Sequence, residues 1–227
     1  MCRWLAFSRL AALAVAGLVL VFAATPGAAR ADRWKFGAYG IYMVPSGEDA
    51  EKFSRPGWGA GGHAEYVVPR SERLLSLDGG FEVVNLMMQT IERYDPDTLL
   101  RVNQETSQDY ARFYLGADVG PHGHGFFRPY VGGNLAVSFY RIQTDIVIPN
   151  DADPENEIRQ SLEGDSEASF GYDLTLGADL NFDTFLIEGG VRFIKSFNVP
   201  QQLGLRNAVP IHPGYFQIFL GAGATVW

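Results

Sequence analysis

Cysteine is almost absent: the 227 residues contain one, Cys2. It stands inside an N-terminal segment with the marks of an export signal, so the processed chain has no thiol. That excludes a disulfide framework and any cysteine metal site. Charge is also scarce. Asp, Glu, Lys and Arg make up 19% of the chain, with a net charge of -8. No basic patch stands out, which argues against a nucleic-acid partner, since such binding rests on neutralised phosphates. Beyond the N-terminus there is no second run of eighteen apolar residues, so no transmembrane helix follows. What is plentiful is glycine, at 26 residues, and aromatic side chains, at 13%. That mixture suits strands packed side by side better than a helical domain.

Arg3 and Arg9 form a positive leader, Leu10 to Ala24 an apolar core, and Ala29-Arg30-Ala31 a small-x-small cleavage site. The pattern predicts a signal peptide over 1–31 and a mature domain over 32–227. The apolar core is shorter than the roughly 20 residues that a spanning helix needs. Removing Arg3, Arg9 and Arg30, and no acid, leaves 15 basic against 26 acidic residues, a net charge of -11.

The most periodic stretch is Ser169 to Phe182. Phe170, Tyr172, Leu174, Leu176, Ala178, Leu180 and Phe182 share one phase; Gly171, Asp173, Thr175, Gly177, Asp179 and Asn181 share the other. Such alternation marks a strand with two unlike faces. Its length matches a strand that crosses a bilayer at a tilt.

Seven further segments repeat the pattern: 33–44, 57–68, 74–89, 108–120, 126–140, 185–195 and 214–227. Long polar connections at 45–56, 90–107, 141–167 and 198–213 alternate with short turns at 69–73, 121–125 and 181–184. Within the strand cores, charge keeps to the polar phase: Lys35, Glu65, Asp78, Glu82, Arg112, Asp118, Arg128, Asp173, Asp179, Glu188 and Arg192. Arg141 and Lys195, on the apolar phase, stand at strand ends beside long loops.

Eight amphipathic strands predict an all-β, eight-stranded antiparallel up-and-down barrel. Parity does not say which face is outside, but volume does. An eight-stranded barrel is just wide enough to be filled by side chains, and about forty apolar residues do not fit there. The apolar phase therefore faces lipid, and the interior is expected to hold glycine, serine, asparagine and paired charges. Arg or Lys facing the bilayer midplane costs roughly 2–4 kcal/mol, which keeps charge off that face. Trp34, Tyr42, Trp58, Tyr66, Phe127, Phe139, Phe170 and Phe182 lie near strand ends on it, as aromatic girdles would.

The export signal, the four hairpins, the segment RPYVGGNLAVSFY (Arg128 to Tyr140) and the final strand YFQIFLGAGATVW together resemble the eight-stranded outer-membrane β-barrel family, the OmpA/OmpX/Opa-like porin group. The resemblance covers the whole mature chain. It implies location in the cell outer membrane, with termini and short turns in the periplasm and long loops outside. It implies contact with outer-membrane lipid and lipopolysaccharide, a monomeric state, and an assembly signal in the last strand, at Phe219 and Trp227, read by the barrel-assembly machinery. Trp227 falls out of step with the apolar phase of Phe216, Ile218, Leu220 and Val226. The family hosts adhesins, anchors, small channels and lipid-modifying enzymes, so the resemblance fixes architecture more than role.

Three roles are weighed. The eleven phase-obeying charges form a lumen network that acts as a salt-bridged plug or as a cation-favouring pore; carboxylates outnumber cations in it. The plug reading goes with a non-enzymatic protein that is structural in the envelope or presents its loops. The pore reading makes the protein a narrow channel for small solutes or apolar molecules. A lipid-modifying enzyme needs a Ser/His/acid set, for which His63, Glu65 and Ser138 are the candidates, without a nucleophile motif. His122, His124 and His212 lack neighbouring ligands, and the acidic run Asp151 to Glu157 lacks an EF-hand frame. No cofactor or metal is expected.

Overall fold

The computed structural model describes residues 34–95, 100–121, 125–148, 158–161, 165–182, 185–197, 199–201 and 209–226. Eight long strands dominate: β1 Trp34–Ser46, β2 Gly57–Val67, β3 Leu75–Asp95, β4 Leu100–Val119, β5 Phe127–Ile148, β6 Asp165–Phe182, β7 Phe185–Phe197 and β8 Gly214–Val226. Each pairs antiparallel with its sequence neighbours. Pairing of β1 with β8, from Trp34 opposite Val226 to Ser46 opposite Gly214, closes the sheet into an up-and-down barrel. Closure leaves no free sheet edge around the wall, which a strand surrounded by hydrocarbon requires.

The pleat sorts the sequence by parity. On β6, Phe170 is 73% and Leu174 58% exposed, whereas Asp173, on the opposite phase, is 1% exposed. The same alternation runs around the barrel, with Leu77, Phe113, Leu115, Leu135 and Leu220 pointing outward. An apolar belt of this extent is stable only against lipid. Two aromatic girdles bound it. At the short-turn end Trp34 packs on Tyr66, with ring centroids 5.1 Å apart, and Phe126 on Phe182 at 5.3 Å. At the opposite end Tyr42 meets Trp58 at 4.6 Å and Tyr172 meets Phe197 at 5.6 Å.

The long-loop end differs from the sequence expectation. Most of the expected loop 90–107 is strand: β3 and β4 stay paired as far as Asp95 opposite Leu100. A bulge between Asn85 and Met87 shifts the register, and beyond it the sequence carries polar residues at both odd and even positions. Without a lipid face the alternation fades, although the backbone ladder continues. The expected loop 141–167 is likewise shortened. β5 extends to Ile148, a short strand Ile158–Ser161 pairs with it, and β6 begins at Asp165. The 45–56 connection contains a helix, α1 (Glu48–Phe53), with acids in its first turn that suit the positive end of the helix dipole. Within the loop expected at 198–213, Val199–Gln201 pairs with Val209–Ile211. His122, His124, the acidic run 151–157 and Trp227 lie outside the described residues.

Candidate functional site: the barrel interior

Each strand delivers its polar phase to the interior. All eleven charged side chains of the expected network point inward and are buried there. They are organised in two layers, and a third, apolar layer lies beyond them.

The middle layer is a closed quartet of charges. Arg112, from β4, donates to Glu82 Oε2 at 3.0 Å and to Asp173 Oδ2. Arg192, from β7, donates to Glu82 Oε1 and faces Asp173 Oδ1 at 3.6 Å. Two guanidinium groups and two carboxylates thus cancel in charge. Neutral donors complete them: Tyr39 and Gln217 donate to Glu82 Oε1 at 2.9 and 3.0 Å, and Asn134 donates to Asp173 Oδ1 at 2.9 Å. Tyr114 lies under both cations, 4.8 Å from Arg112 and 4.9 Å from Arg192, and Phe219 lies 5.2 Å from Arg192. Cation–π contact is strongest where water is excluded, as it is here.

The layer nearest the short turns is richer in acid. Lys35 bridges Glu65 and Asp179, at 3.0 Å each. His63 bridges Glu188 through Nε2 at 3.0 Å and Asp78 through Nδ1 at 3.5 Å. Both ring nitrogens face carboxylate oxygens, and only the imidazolium presents two donors. Arg128 gives Nε to the Gly125 carbonyl at 3.3 Å and lies in the field of Asp179 and Glu65. Asp118 completes the layer. His63 and the five carboxylates of this layer, with Arg192 of the middle layer, line a cavity of about 10 Å³, which is about the space of one water.

The third layer was not expected. Towards the long-loop end the interior is packed with Ile41, Met43, Val84, Leu86, Tyr110, Tyr140, Ile194 and Tyr215, all buried. In this half bulky apolar and tyrosine side chains take the place of the expected glycine and paired charge, and buried serines stand among them. α1 sits over this cluster: Ala50 is buried within it, Ser54 Oγ donates to Gln108 at 2.9 Å, and the Arg55 amide donates to the Leu86 carbonyl at 3.0 Å. Tyrosine hydroxyls within the layer are paired, Tyr110 with Ser138 at 3.1 Å and Tyr140 with Ser196 at 2.8 Å.

The residues considered for acyl chemistry are separated. His63 belongs to the acidic layer, while Ser138 bonds Tyr110 in the apolar one. His63 instead bridges β3 and β7 through Asp78 and Glu188. Phe219 points inward against Tyr39, with centroids 5.6 Å apart. Arg141 is exposed, and Lys195 donates to the His212 carbonyl at 2.6 Å at the long-loop rim. Sequence reasoning did not pick out Tyr39, Tyr114, Asn134 and Gln217. Parity was the available signal: Gln217 stands between the outward Phe216 and Ile218.

A closed barrel with a lipid-facing belt, two aromatic girdles and a charge-filled lumen defines an eight-stranded transmembrane barrel of the outer-membrane type. Neisserial surface protein A has this fold: it is 12% identical, with a TM-score of 0.55, over 85% of this chain and 97% of that one. Ail, the attachment invasion locus protein of Yersinia pestis, is 14% identical with a TM-score of 0.45, over 86% and 97%. The N-terminal β-barrel domain of Pseudomonas aeruginosa OprF is 13% identical with a TM-score of 0.31, over 83% and 96%. No protein-family model matches the chain, and no curated protein aligns with it significantly.

Proposed function

We propose that this protein is a non-enzymatic, integral outer-membrane barrel with a sealed lumen, whose role lies in its wall and its long-loop end. The observation that carries this reading is the three-layer interior. Paired charges lie at one end, a neutral quartet in the middle and an apolar-aromatic layer under α1, and the cavity in the charged end has space for about one water. Such filling by the described residues supports a lumen closed to diffusible solutes.

In the proposed orientation the short turns face the periplasm and the extended β3–β4 hairpin, β5 and α1 face outside. The side chains at that rim are polar, with Asp109 bonding Asn85 at 3.0 Å and Arg141 exposed. Such a rim suits the headgroup region of lipopolysaccharide and the water beyond it. The barrel-assembly machinery would read the last strand, including Phe219 and Trp227, before the barrel closes, since Phe219 is interior once folded. The closed wall needs no partner subunit, which supports a monomer.

Single-channel recording of the refolded protein in a planar bilayer tests the sealed lumen. A flat trace is expected; stepwise, cation-favouring conductance would make it a narrow channel instead. Lipid A mass profiles from cells with and without the protein are expected to coincide. A shift abolished by His63→Ala would show lipid-modifying activity.

A further inference from the structure

We infer that the outward face of β3–β6, just above the apolar belt, is a saccharide-binding wall that grips the head-group sugars of a glycolipid in the same leaflet. This rests on the proposed orientation, with the long loops outside. The register shows how sharply the face changes. One outward row across the four strands is apolar: Val83, Ala111, Phe139 and Ala168 stand opposite one another in turn. The next outward row is polar throughout: Asn85, Asp109, Arg141 and Ser166. Above it Ser107 stands opposite Gln143, and Glu105 opposite Asp145. The wall continues the lipid-facing surface, since Phe113 and Phe139 are exposed below it on the same strand faces. A lipid lying against Phe113 and Phe139 therefore brings its head group to Asp109 and Arg141.

Height selects the class of lipid. β4 and β5 stay paired as far as Asn103 opposite Val147. At about 3.3 Å per residue and a tilt of about 40°, the wall from Asp109 to Asn103 rises about 15 Å. The head-group layer on one side of a phospholipid bilayer is only about 5–8 Å deep. A phospholipid leaves the upper half of the wall against water, whereas an oligosaccharide head group covers it.

The side chains favour hydroxyls over phosphate. Arg141 is the one cation among those named, set against Asp109, Glu105 and Asp145, so the face as a whole repels a bare phosphate. It is a lattice of planar amides and carboxylates that hold one another in place. Asn85 Nδ2 donates to Asp109 Oδ1 at 3.0 Å, Arg141 donates to Gln143 Oε1 at 3.2 Å, and Gln143 Nε2 donates to Asp145 Oδ1 at 3.2 Å. An amide has two N–H donors and two lone pairs, and a carboxylate about four acceptor sites. Asn85, Asp109 and Gln143 therefore keep capacity beyond these bonds. Sugar hydroxyls both donate and accept, which matches that mixture. Side chains already ordered by one another lose less entropy when a ligand binds.

Two probes separate sugar from phosphate: rough lipopolysaccharide with an unphosphorylated core, and the lipid A made from it by removing the core sugars. The mature chain is folded in phospholipid nanodiscs with either probe in equal amounts, and the copies retained are counted by native mass spectrometry. The sugar-bearing form is expected to be retained about ten-fold more, the equivalent of one or two net hydrogen bonds. Asp109→Ala and Gln143→Ala should each lower that ratio about three-fold, and together abolish it, with lipid A retention unchanged. Heat-modifiable gel mobility shows which variants are folded, and either single variant suffices. Equal retention of the two probes overturns the wall, as does a preference that neither substitution lowers. Loss of lipid A retention in Arg141→Ala means anchoring through phosphate and overturns it too. Orientation is tested separately. Glu51→Cys, on α1, gives the mature chain its one thiol, which an impermeant maleimide should label on intact cells; an unlabelled thiol refutes the orientation, whatever the nanodisc ratio.

Discussion

Arg192 illustrates how much a single interior side chain carries. It touches Glu82 and Asp173 and stacks near Tyr114 and Phe219, so its removal leaves two buried carboxylates on one guanidinium. Truncating one partner of a buried ion pair costs about 3–5 kcal/mol. Arg192→Ala is therefore expected to lower the urea midpoint of the lipid-reconstituted barrel, followed by tryptophan fluorescence. An unchanged midpoint would mean that the quartet does not stabilise the fold. On the outward face the cost has another origin. Leu176→Arg places a cation in hydrocarbon at a cost of about 2–4 kcal/mol, while the equally exposed position would tolerate Ile with little change. Comparing the two by the same unfolding assay separates lipid solvation from loss of size. At this scale, parity made the direction of every network residue legible: Asp173 and Asp179 alternate with Leu174 and Leu180 along one strand. Partners were not legible, because Arg112 and Asp173 are 61 residues apart and nothing local in the sequence pairs them.

Elements divide into those the lipid defines and those it does not. In the belt, each strand shows alternation because its two faces meet hydrocarbon and a polar lumen. Above the belt the contrast disappears, and the sequence reading turned strand into loop at 90–107. Thr106 and Thr144, whose hydroxyls lie 3.3 Å apart, hold adjacent strands there and carry no hydrophobic signal. That hairpin should be dispensable for folding. Deleting 91–104 and closing Thr90 to Glu105, which are register partners, with an Asn-Gly turn should keep heat-modifiable mobility; loss of it would show that the hairpin helps the barrel fold. α1 is different, since Ala50 anchors it in the apolar layer. Ala50→Glu buries a charge in that layer and should release the helix. Trypsin cleavage after Lys52 in the folded barrel should then be faster than in the parent protein, and an equal rate would argue against α1 being held by Ala50.

For the molecule as a whole, the sequence by itself determined the number of strands, their antiparallel order and the face each side chain takes. The physical reason is that alternation has a period of two and the lipid-facing phase excludes charge at every strand. Only the tertiary structure decided what fills the lumen. In β1 the inward residues change from Lys35 to Tyr39, Ile41 and Met43, and both phases become apolar, so periodicity no longer distinguishes an outer face from an inner one. Whether those residues line a passage or close it depends on what seven other strands and α1 bring to the same level, which is a property of closure and register. The same holds for charge. Counting acids and bases gave a surplus of carboxylate, but the barrel alone shows that four charges cancel at the middle and that the surplus collects around Asp118, where distant strands converge.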